Sequence, residues 1–409
     1  MRSKLFVLAT AAMLALPPIA RAQSLAGLWD ATVVVGGVDV PFRMEITGSG
    51  AGVKGSFFNG DEKVTSTSGR FTNGALALSF DEYETKLEAT LKDGRLEGQY
   101  SRGTRGAPYP FQAKRFVAAP PADERVPSIA GLWNIQTKSA KGESAWHLIV
   151  RQSGPEVSAV ILRVDGDTGT LTGAFRHGTF VLGHFSAARP MRLEILPQAD
   201  GSLSLVQNDE RDKPLTAIRA EQALAKGLPQ PSDPSRFTSV KDPTEPLRFS
   251  FADLNGKIVS NADDRFRGKV IIVDISGSWC PNCHDETPFL VELYRKYHDR
   301  GLEIVALSFE EAAQLKNPTR LRAFIKHYGI QYTVLVAGEP REASEKLPQT
   351  VNLNSFPTTF FLGRDGRVRS AHAGFPGKAS GKFHEEAKQE MTHTVERLLA
   401  EAVQSSSGK

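Results

Sequence analysis

Two cysteines, Cys280 and Cys283, are the residues of this chain best suited to chemistry. They lie in the motif Trp279-Cys280-Pro281-Asn282-Cys283, which follows an apolar run and begins an amphipathic one. The predicted order is therefore strand, Cys-x-x-Cys, helix, in which the free N–H groups and the dipole of the helix N-terminus stabilise a thiolate. This order indicates thiol redox chemistry, with Cys280 as the exposed attacking thiol and Cys283 as the resolving thiol.

Other interpretations of the cysteine pair are weaker. A structural disulfide across so short a loop would contribute only about 2 kcal/mol by the loop-entropy estimate. A zinc site would need a second pair of cysteines, which the sequence lacks. Three histidines, His147, His177 and His184, are spread without metal-ligand spacing. The sequence therefore predicts no metal and no other cofactor.

A carboxylate precedes the motif inside an apolar run. Asp274 lies in the segment Gly268–Ile275, whose other residues are typical of a central strand buried on both faces. Burying a carboxylate there is costly, which indicates a purpose. Desolvation should raise the pKa of Asp274, so that this group can act as the base that deprotonates Cys283.

The elements around the motif alternate between strands and helices from Arg248 onward, which predicts an α/β domain over residues 247–402. After the strand Gly268–Ile275 and the helix that starts at the cysteines, we expect the strand Glu303–Phe309, a helix around Arg320 to Tyr328, strands Thr358–Leu362 and Val368–Gly374, and a helix from about Lys382 to Leu399.

Residues from about 248 to 402 resemble the thioredoxin fold, and specifically the TlpA/ResA-type thiol-disulfide oxidoreductases of the bacterial cell envelope. The matching residues are Trp279 to Cys283, Glu286 with Pro288, Ser355 to Leu362, and the closing hairpin Gly363 to Val368. The resemblance covers a little over a third of the chain, and no family is recognised in the residues before it.

The resemblance implies roles for further residues. Pro357 would be the cis-proline that faces the disulfide, and Phe356 would offer backbone groups to an extended substrate segment bound beside Trp279. Glu286 matches the acidic residue that the family places near its active site; an ordinary exposed helix glutamate is the alternative. Asp274 is more typical of thioredoxins, because many TlpA-type proteins lack an acid there. The motif also departs from the common family arrangement by placing proline first.

The first half of the chain carries an internal repeat. Ser24–Asp30 returns as Ser128–Asn134, displaced by 104 positions, and Gly69 and Phe71 recur at the same offset. Alternating apolar runs between turn pairs predict roughly eight antiparallel strands per repeat, closed as a small barrel or sandwich that hides its edges. Trp29 and its counterpart Trp133 are expected to fill the cores rather than to line a ligand cavity.

Residues 1–22 have the pattern of a secretory signal peptide. A basic start, the apolar run Leu5–Leu16 and the site Ala20-Arg21-Ala22 predict cleavage before Gln23. The apolar run is shorter than the roughly 20 residues needed to span a bilayer, and an uncleaved anchor is the alternative. The sequence therefore predicts an exported, periplasmic or extracytoplasmic protein.

The predicted organisation after the signal peptide is two β modules over residues 23–117 and 128–225, a stiff proline-rich linker over 226–246, and the α/β domain over 247–402. A chain of 409 residues is long enough for such a multidomain fold. Its 40% hydrophobic and 23% charged residues exclude wholesale disorder. Three of the basic residues behind its net charge of +4 lie in the leader, so nucleic acid is not an expected partner.

The leading functional hypothesis is an exported thiol-disulfide oxidoreductase. The resemblance implies that it reduces client protein disulfides and is itself reduced by a membrane or envelope electron donor. A peroxiredoxin-like thiol peroxidase is one alternative, although Ser276–Trp279 does not match the Pro-x-x-x-Thr-x-x that usually precedes a peroxidatic cysteine. A binding protein that acts through its β modules is another, and deleting residues 23–225 would then abolish binding and spare disulfide reduction.

Overall fold

The computed structural model describes residues 25–118 and 125–401. The predicted signal peptide and its cleavage site lie outside these described residues, as does part of the connection between the two repeats. Two antiparallel sheets are followed by a mixed sheet with helices, so the multidomain architecture expected from the sequence is confirmed. No helix within the described ranges is long and apolar enough to cross a membrane.

The first sheet, which we call module 1, has nine strands in the order β4-β3-β2-β1-β9-β8-β7-β6-β5. Alternation of buried and exposed residues along β1 and β2 places one face of the sheet in a core around Trp29, whose Nε1 donates to the Leu25 carbonyl at 3.0 Å. The strands are β1 Gly27–Val35, β2 Val38–Thr47, β3 Lys54–Asn59, β4 Glu62–Thr65, β5 Ser68–Thr72, β6 Ala75–Phe80, β7 Thr85–Lys92, β8 Arg95–Ser101 and β9 Tyr109–Arg115.

The second sheet, module 2, also has nine strands, and an additional ladder between β11 and β12 closes it into a barrel. Trp133 lies in its core and donates to the Ile129 carbonyl at 2.9 Å, as its counterpart does in module 1. The strands are β10 Gly131–Gln136, β11 Ala145–Ser153, β12 Glu156–Arg163, β13 Gly166–Asp167, β14 Leu171–Arg176, β15 Thr179–His184, β16 Met191–Pro197, β17 Leu203–Gln207 and β18 Leu215–Arg219.

The two modules share one apolar core at their boundary. Phe185 of module 2 is fully buried among aromatic residues of module 1, with ring centroids 4.9 Å from Phe42 and 4.8 Å from Tyr100. The Tyr100 hydroxyl donates to the Ala187 carbonyl at 3.0 Å. An aromatic ring of module 2 thus forms part of the core of module 1.

The third sheet has seven strands in the order β21-β20-β24-β23-β22-β26-β27. Its strands are β20 Ser250–Asp253, β21 Ile258–Ser260, β22 Val270–Ser276, β23 Leu302–Phe309, β24 Thr333–Gly338, β26 Thr358–Leu362 and β27 Val368–Ala373. The helices of this domain are α3 Pro281–Tyr297, α4 Ala312–Lys316, α5 Thr319–Tyr328, α6 Ala343–Lys346 and α7 Lys382–Ala400.

Strand β22 is the centre of this sheet, and all of its residues are buried. It pairs in parallel with β23 and antiparallel with β26. Apolar residues of α3 and α7 cover one face of the sheet, including Leu290, Tyr297 and Val395. This packing fixes the carboxyl end of β22 directly before the N-terminus of α3, which is where the cysteines lie.

The segment between the modules and the third sheet is held by contacts to both of them, rather than being the stiff, extended spacer expected from its prolines. It contains α1 Ala220–Ala225, α2 Pro234–Phe237 and β19 Ser239–Val240, and β19 pairs with β25 Thr350–Val351. The side-chain amide of Asn134 in module 2 donates to the Pro229 carbonyl at 3.1 Å.

Candidate active site

The two cysteines lie at the N-terminus of α3 as unbonded thiols. The Cys280 Sγ accepts a hydrogen bond from the Cys283 N–H at 3.4 Å and donates one to the Phe356 carbonyl at 3.4 Å. The Phe356–Pro357 peptide bond is cis, as expected from the family resemblance. The structure therefore brings the predicted cysteines and the predicted proline loop together.

Two aromatic residues form the rim beside Cys280. The rings of Trp279 and Phe356 meet edge to face with centroids 5.3 Å apart, and both are half-buried. The Trp279 Nε1 donates to the Phe309 carbonyl at 2.8 Å, which fixes the indole at the end of β23. This rim places an apolar surface next to the thiol.

Asp274 lies on β22 beneath the thiol pair and is buried. Burial raises the pKa of Asp274 to about 7, and a hydrogen bond with Ser276 opposes this shift. Among the described residues, its Oδ1 atom has no hydrogen-bond partner. Burial also raises the pKa of the Cys283 thiol well above its ordinary value, and the charges of Cys280 and Asp274 add to this effect. Burial therefore favours the neutral, protonated form of both groups.

Glu286 is also buried, with an exposed fraction of 1%, so the alternative of an ordinary exposed glutamate is wrong. Its Oε1 accepts a hydrogen bond from the Thr359 hydroxyl at 2.7 Å. Burial, and then the charge of Asp274, raise the pKa of Glu286 well above its usual range. A small, mostly apolar cavity of about 10 Å³ adjoins Asp274, and Ser276 and Ser308 are among the polar residues that line it.

Module 2 covers the thiol pair, which the sequence did not indicate. Cys280 was expected to be the exposed thiol, but its exposed fraction is 3%. The Asn282 side-chain amide donates to the Asp165 carbonyl at 2.6 Å, and Gly166 forms a parallel β-bridge with Phe375. The expectation of exposure is therefore wrong, and a loop of module 2 contacts the motif two residues after this thiol.

Charged groups strengthen the contact between module 2 and the thiol motif. The Arg189 guanidinium donates to Asp285 Oδ2 at 2.6 Å and to the Asp167 carbonyl at 3.1 Å. The Ser380 hydroxyl donates to Asp167 Oδ2 at 2.6 Å. Burial raises the pKa of Asp285 to about 6, and the charge of Arg189 opposes this shift. These contacts place Arg189 and Asp167 of module 2 beside residues that follow the thiol motif, and no sequence pattern indicated them.

Module 1 contacts the residue that follows the second cysteine. The Tyr83 ring stacks on the His284 imidazole with centroids 4.1 Å apart and planes 9° apart. Burial lowers the pKa of His284 to about 3, so the ring is neutral at pH 7. Its Nε2 is 2.9 Å from the Ser278 carbonyl, and its Nδ1 is 2.9 Å from the Tyr328 hydroxyl. A carbonyl only accepts, so Nε2 carries the proton and Nδ1 accepts from Tyr328.

A buried ion cluster holds the turn before Cys280. The Arg320 guanidinium is fully buried and contacts the carboxylates of Glu310, at 2.8 Å, and Glu311. Glu310 accepts hydrogen bonds from the backbone N–H and the hydroxyl of Ser278. Glu84 of module 1 reaches the same cluster, with its Oε2 atom 3.8 Å from Arg320. Module 1 therefore contacts, through Glu84, the ion cluster that holds Ser278 in the turn before Cys280.

The side chains at the site are thiols with buried carboxylates nearby. Within residues 25–118 and 125–401, no group of three or more His, Cys, Asp or Glu side chains is arranged to hold a metal ion. The chemistry that this arrangement supports is an exchange of electrons and a proton at Cys280 and Cys283, with buried carboxylates close to the inner thiol.

Comparisons with known proteins agree with this geometry over the C-terminal part of the chain. The Redoxin family model matches residues 239–385. The thiol-disulfide oxidoreductase ResA of Bacillus thuringiensis strain Al Hakam is 31% identical over 124 residues, which are 30% of this chain and 65% of that protein. ResA of Bacillus subtilis strain 168 is 25% identical over 130 residues, which are 32% of this chain and 66% of that protein. The chain thus spans less than two thirds of the length of these relatives.

Solved structures similar to the chain include a thioredoxin-family thiol:disulfide interchange protein from Chlorobium tepidum TLS. The two chains are 25% identical, and the likeness covers 40% of this chain and 100% of the other, with a TM-score of 0.30. The region that the Redoxin family model matches begins at residue 239, so it excludes both β modules. Residues 239–385 are therefore a thioredoxin-like domain that matches the Redoxin family.

Proposed function

We propose that the chain is an exported thiol-disulfide oxidoreductase that reduces disulfides in client proteins through Cys280 and Cys283. The single observation that carries this proposal is the position of the thiol pair. Cys280 Sγ lies at the N-terminus of α3, 3.4 Å from the carbonyl of the cis-proline loop, with Cys283 behind it. The similarity to ResA proteins supports the same chemistry.

The reaction has two exchange steps. The Cys280 thiolate attacks one sulfur of the client disulfide, the client S–S bond breaks, and the leaving sulfur departs as a thiolate that takes up a proton. Cys283 then loses its proton to Asp274 and attacks the Cys280 sulfur, which releases the second client thiol. The client gains two electrons, and the protein is left with a Cys280–Cys283 disulfide. A dithiol electron donor of the membrane or envelope then reduces this disulfide.

The other residues of the site have supporting roles in this proposal. Glu286, 2.7 Å from Thr359 and close to Asp274, provides a second buried carboxyl through which the proton can pass. Trp279, Phe356 and Pro357 form the surface on which the client segment lies. The signal-peptide pattern of residues 1–22 supports action outside the cytoplasm.

The experiment that tests the proposal measures reduction of a protein disulfide by the mature chain, together with the equilibrium potential of its cysteine pair. We expect turnover by the wild type, none by Cys280→Ser, and accumulation of a mixed disulfide with Cys283→Ser. We also expect a potential near that of thioredoxin, roughly −270 mV. A potential near that of DsbA, roughly −120 mV, would contradict the reductive direction. Full turnover by Cys280→Ser would contradict the chemistry itself.

A further inference from the structure

Three loops of the thioredoxin-like domain surround the Cys280 thiol, and module 2 contacts all of them. The cysteine loop does so through Asn282, which donates to the Asp165 carbonyl at 2.6 Å. The loop after β27 does so through Phe375, which bridges to Gly166. The loop before the cis-proline does so through Asn354, whose amide donates to the Lys141 carbonyl at 3.4 Å. Module 2 therefore covers the face from which a client would reach the thiol.

Two glycines allow the backbone of module 2 to lie directly against the backbone of the thioredoxin-like domain. Gly166 has a φ of +118°, and a Cβ atom there would lie 2.6 Å from both the Asn282 side chain and the Phe375 carbonyl oxygen. A Cβ atom on Gly374 would lie 2.2 Å from the Val164 carbonyl oxygen. Since any larger residue would separate the two surfaces, the fit depends on both glycines.

The contact has the form of a bound peptide. The backbone of Val164–Asp167 runs beside Phe375 in a parallel bridge and presents a carbonyl to Asn282, as an added strand would. The Asp167 end of this segment is held by Ser380, whose hydroxyl donates to Asp167 Oδ2 at 2.6 Å, and by Arg189, which donates to the Asp167 carbonyl at 3.1 Å and to Asp285 at 2.6 Å. The thiol beneath it is 3% exposed.

We propose that Val164–Asp167 of module 2 occupies the groove in which an extended polypeptide client binds, and that the client must displace this segment before Cys280 reaches its disulfide. The proposal rests on the proposed function for the nature of the client. The groove then takes an extended chain that offers a backbone carbonyl to Asn282 and pairs beside Phe375.

The first test measures how fast a large reagent modifies Cys280. The chain has two cysteines, so Cys283→Ser leaves Cys280 as its single thiol. In this background, Arg189→Gln with Ser380→Ala removes the side-chain hydrogen bonds that hold the Asp167 end of the segment, and leaves the bond from Asn282 to the Asp165 carbonyl. We expect modification by a polyethylene-glycol maleimide to become about tenfold faster, because the open form is more populated.

The matched control is Glu62→Gln, which removes the 2.6 Å ion pair between module 1 and Lys378 of the same redox-domain loop. This variant should react with the maleimide at the wild-type rate. An unchanged rate in the Arg189→Gln, Ser380→Ala protein would overturn the proposal, as would an equal increase in the Glu62→Gln control.

A second test needs no variant at the contact itself. Cys280 of the Cys283→Ser protein is joined by a disulfide either to a short cysteine peptide or to a methylthio group, and amide hydrogen exchange is measured. We expect the amides of Val164–Asp167 to exchange about tenfold faster with the peptide than with the methylthio group. Equal exchange rates would mean that the peptide binds elsewhere and would overturn the displacement.

These results separate this inference from the proposed function. Maleimide and exchange rates that follow expectation, in a protein that reduces no protein disulfide, would contradict the oxidoreductase and leave the occupied groove standing. Normal reduction together with unchanged maleimide and exchange rates would contradict the occupied groove alone.

Discussion

The two β modules present equivalent loops to the thioredoxin-like domain but use different residues there. The loop after β6 contains Tyr83, which stacks on His284 next to the second cysteine. The loop after β15, at the same offset of 104 positions, contains Phe185 and Arg189. Phe185 enters the core of module 1, while Arg189 pairs with Asp285. The repeated strands therefore place the two loops at equivalent positions, and the side chains of each loop determine what it contacts.

A second pair of equivalent positions shows the same contrast. Glu62 begins β4 and reaches Lys378 across 2.6 Å with an exposed side chain. Gly166 begins β13 and meets Phe375 with its backbone. A long side chain keeps module 1 away from the loop after β27, whereas a glycine lets module 2 lie on it. At these equivalent positions, module 1 reaches the loop after β27 through a side chain and module 2 reaches it through its backbone.

The cores of the modules also close differently. In module 2, β12 pairs with β14 over four residue pairs. Their counterparts in module 1, β3 and β5, share no ladder in the described structure. Phe185 from module 2 packs instead against Phe57, with ring centroids 5.2 Å apart. Module 1 therefore depends on its neighbour for part of its core, and module 2 does not.

The largest expected effect comes from the buried ion cluster that module 1 contacts. Replacing Arg320 by alanine leaves the buried carboxylate of Glu310 without its partner cation. We expect the free energy of unfolding to fall by about 4 kcal/mol, because an unpaired buried charge is strongly unfavourable. Denaturant unfolding measures this change. Arg322→Ala on the exposed face of α5 is the matched control, and an equal loss there would argue against a special role for the cluster.

The next effect concerns the shared core of the modules. Phe185→Ala removes the ring that module 2 places among Phe42 and Phe57. We expect a loss of about 3 kcal/mol, typical of a buried phenylalanine that leaves a cavity. The loss should appear in the unfolding of module 1, although the residue belongs to module 2. Phe175→Ala, inside the core of module 2, should instead destabilise module 2, and identical transitions would show that the modules unfold as one unit.

Neither module supplies the group that dominates the acid–base behaviour of the site. Burial raises the pKa of Asp274 to about 7, so the folded protein binds a proton more tightly than the unfolded chain. Stability from this group is therefore present at low pH and lost as pH rises from about 4 to about 7. Asp274→Asn should remove this dependence.

The same substitution tests the proposed base. We expect Asp274→Asn to slow the release of the mixed disulfide about a hundredfold and to remove the rise of that rate as pH approaches about 7. Stopped-flow measurement of mixed-disulfide decay gives both quantities. Asp263→Asn is the control, because hydrogen bonds with Arg265 hold the pKa of Asp263 below its usual value. A rate that still rises near pH 7 in Asp274→Asn would assign the proton transfer to another group.

Sequence patterns predicted the parts of the site whose causes are local. The continuous apolar run of β22 and the cysteines at the start of α3 follow from neighbouring residues, whereas the cis-proline at Pro357 was expected from the family resemblance. Asp274 was identified because a carboxylate in an apolar run is unusual. The repeat offset also predicted that Trp29 and Trp133 have equivalent places in their cores.

Contacts between distant residues could not be predicted in this way. Asp165 is 117 positions before its partner Asn282, and it lies in a polar loop without periodicity. Arg320 and Glu310 appear in the sequence as ordinary surface charges, yet both are fully buried. The repeat did not indicate that Tyr83 contacts the thiol motif, because its counterpart in module 2 is Ala187. Only the packing of the three sheets shows that both modules reach the thiol motif.

The smallest expected effect is at the stack between Tyr83 and His284. Tyr83→Leu keeps an apolar side chain of similar reach but removes ring stacking, so we expect a loss of about 1 kcal/mol. The pKa of His284, which burial lowers to about 3, should rise because water gains access to one face of the ring. NMR titration of the imidazole protons measures this shift.

Tyr109→Leu is the matched control for this stack, because the Tyr109 ring contacts Arg102 at 4.5 Å within module 1. It should leave the His284 titration unchanged. A rise in the His284 pKa with Tyr83→Leu, without any change in the maleimide rate of Cys280, would mean that module 1 supports the turn while module 2 alone covers the thiol. A faster maleimide reaction in Tyr83→Leu would instead show that the two modules move together, which would remove the functional distinction between them.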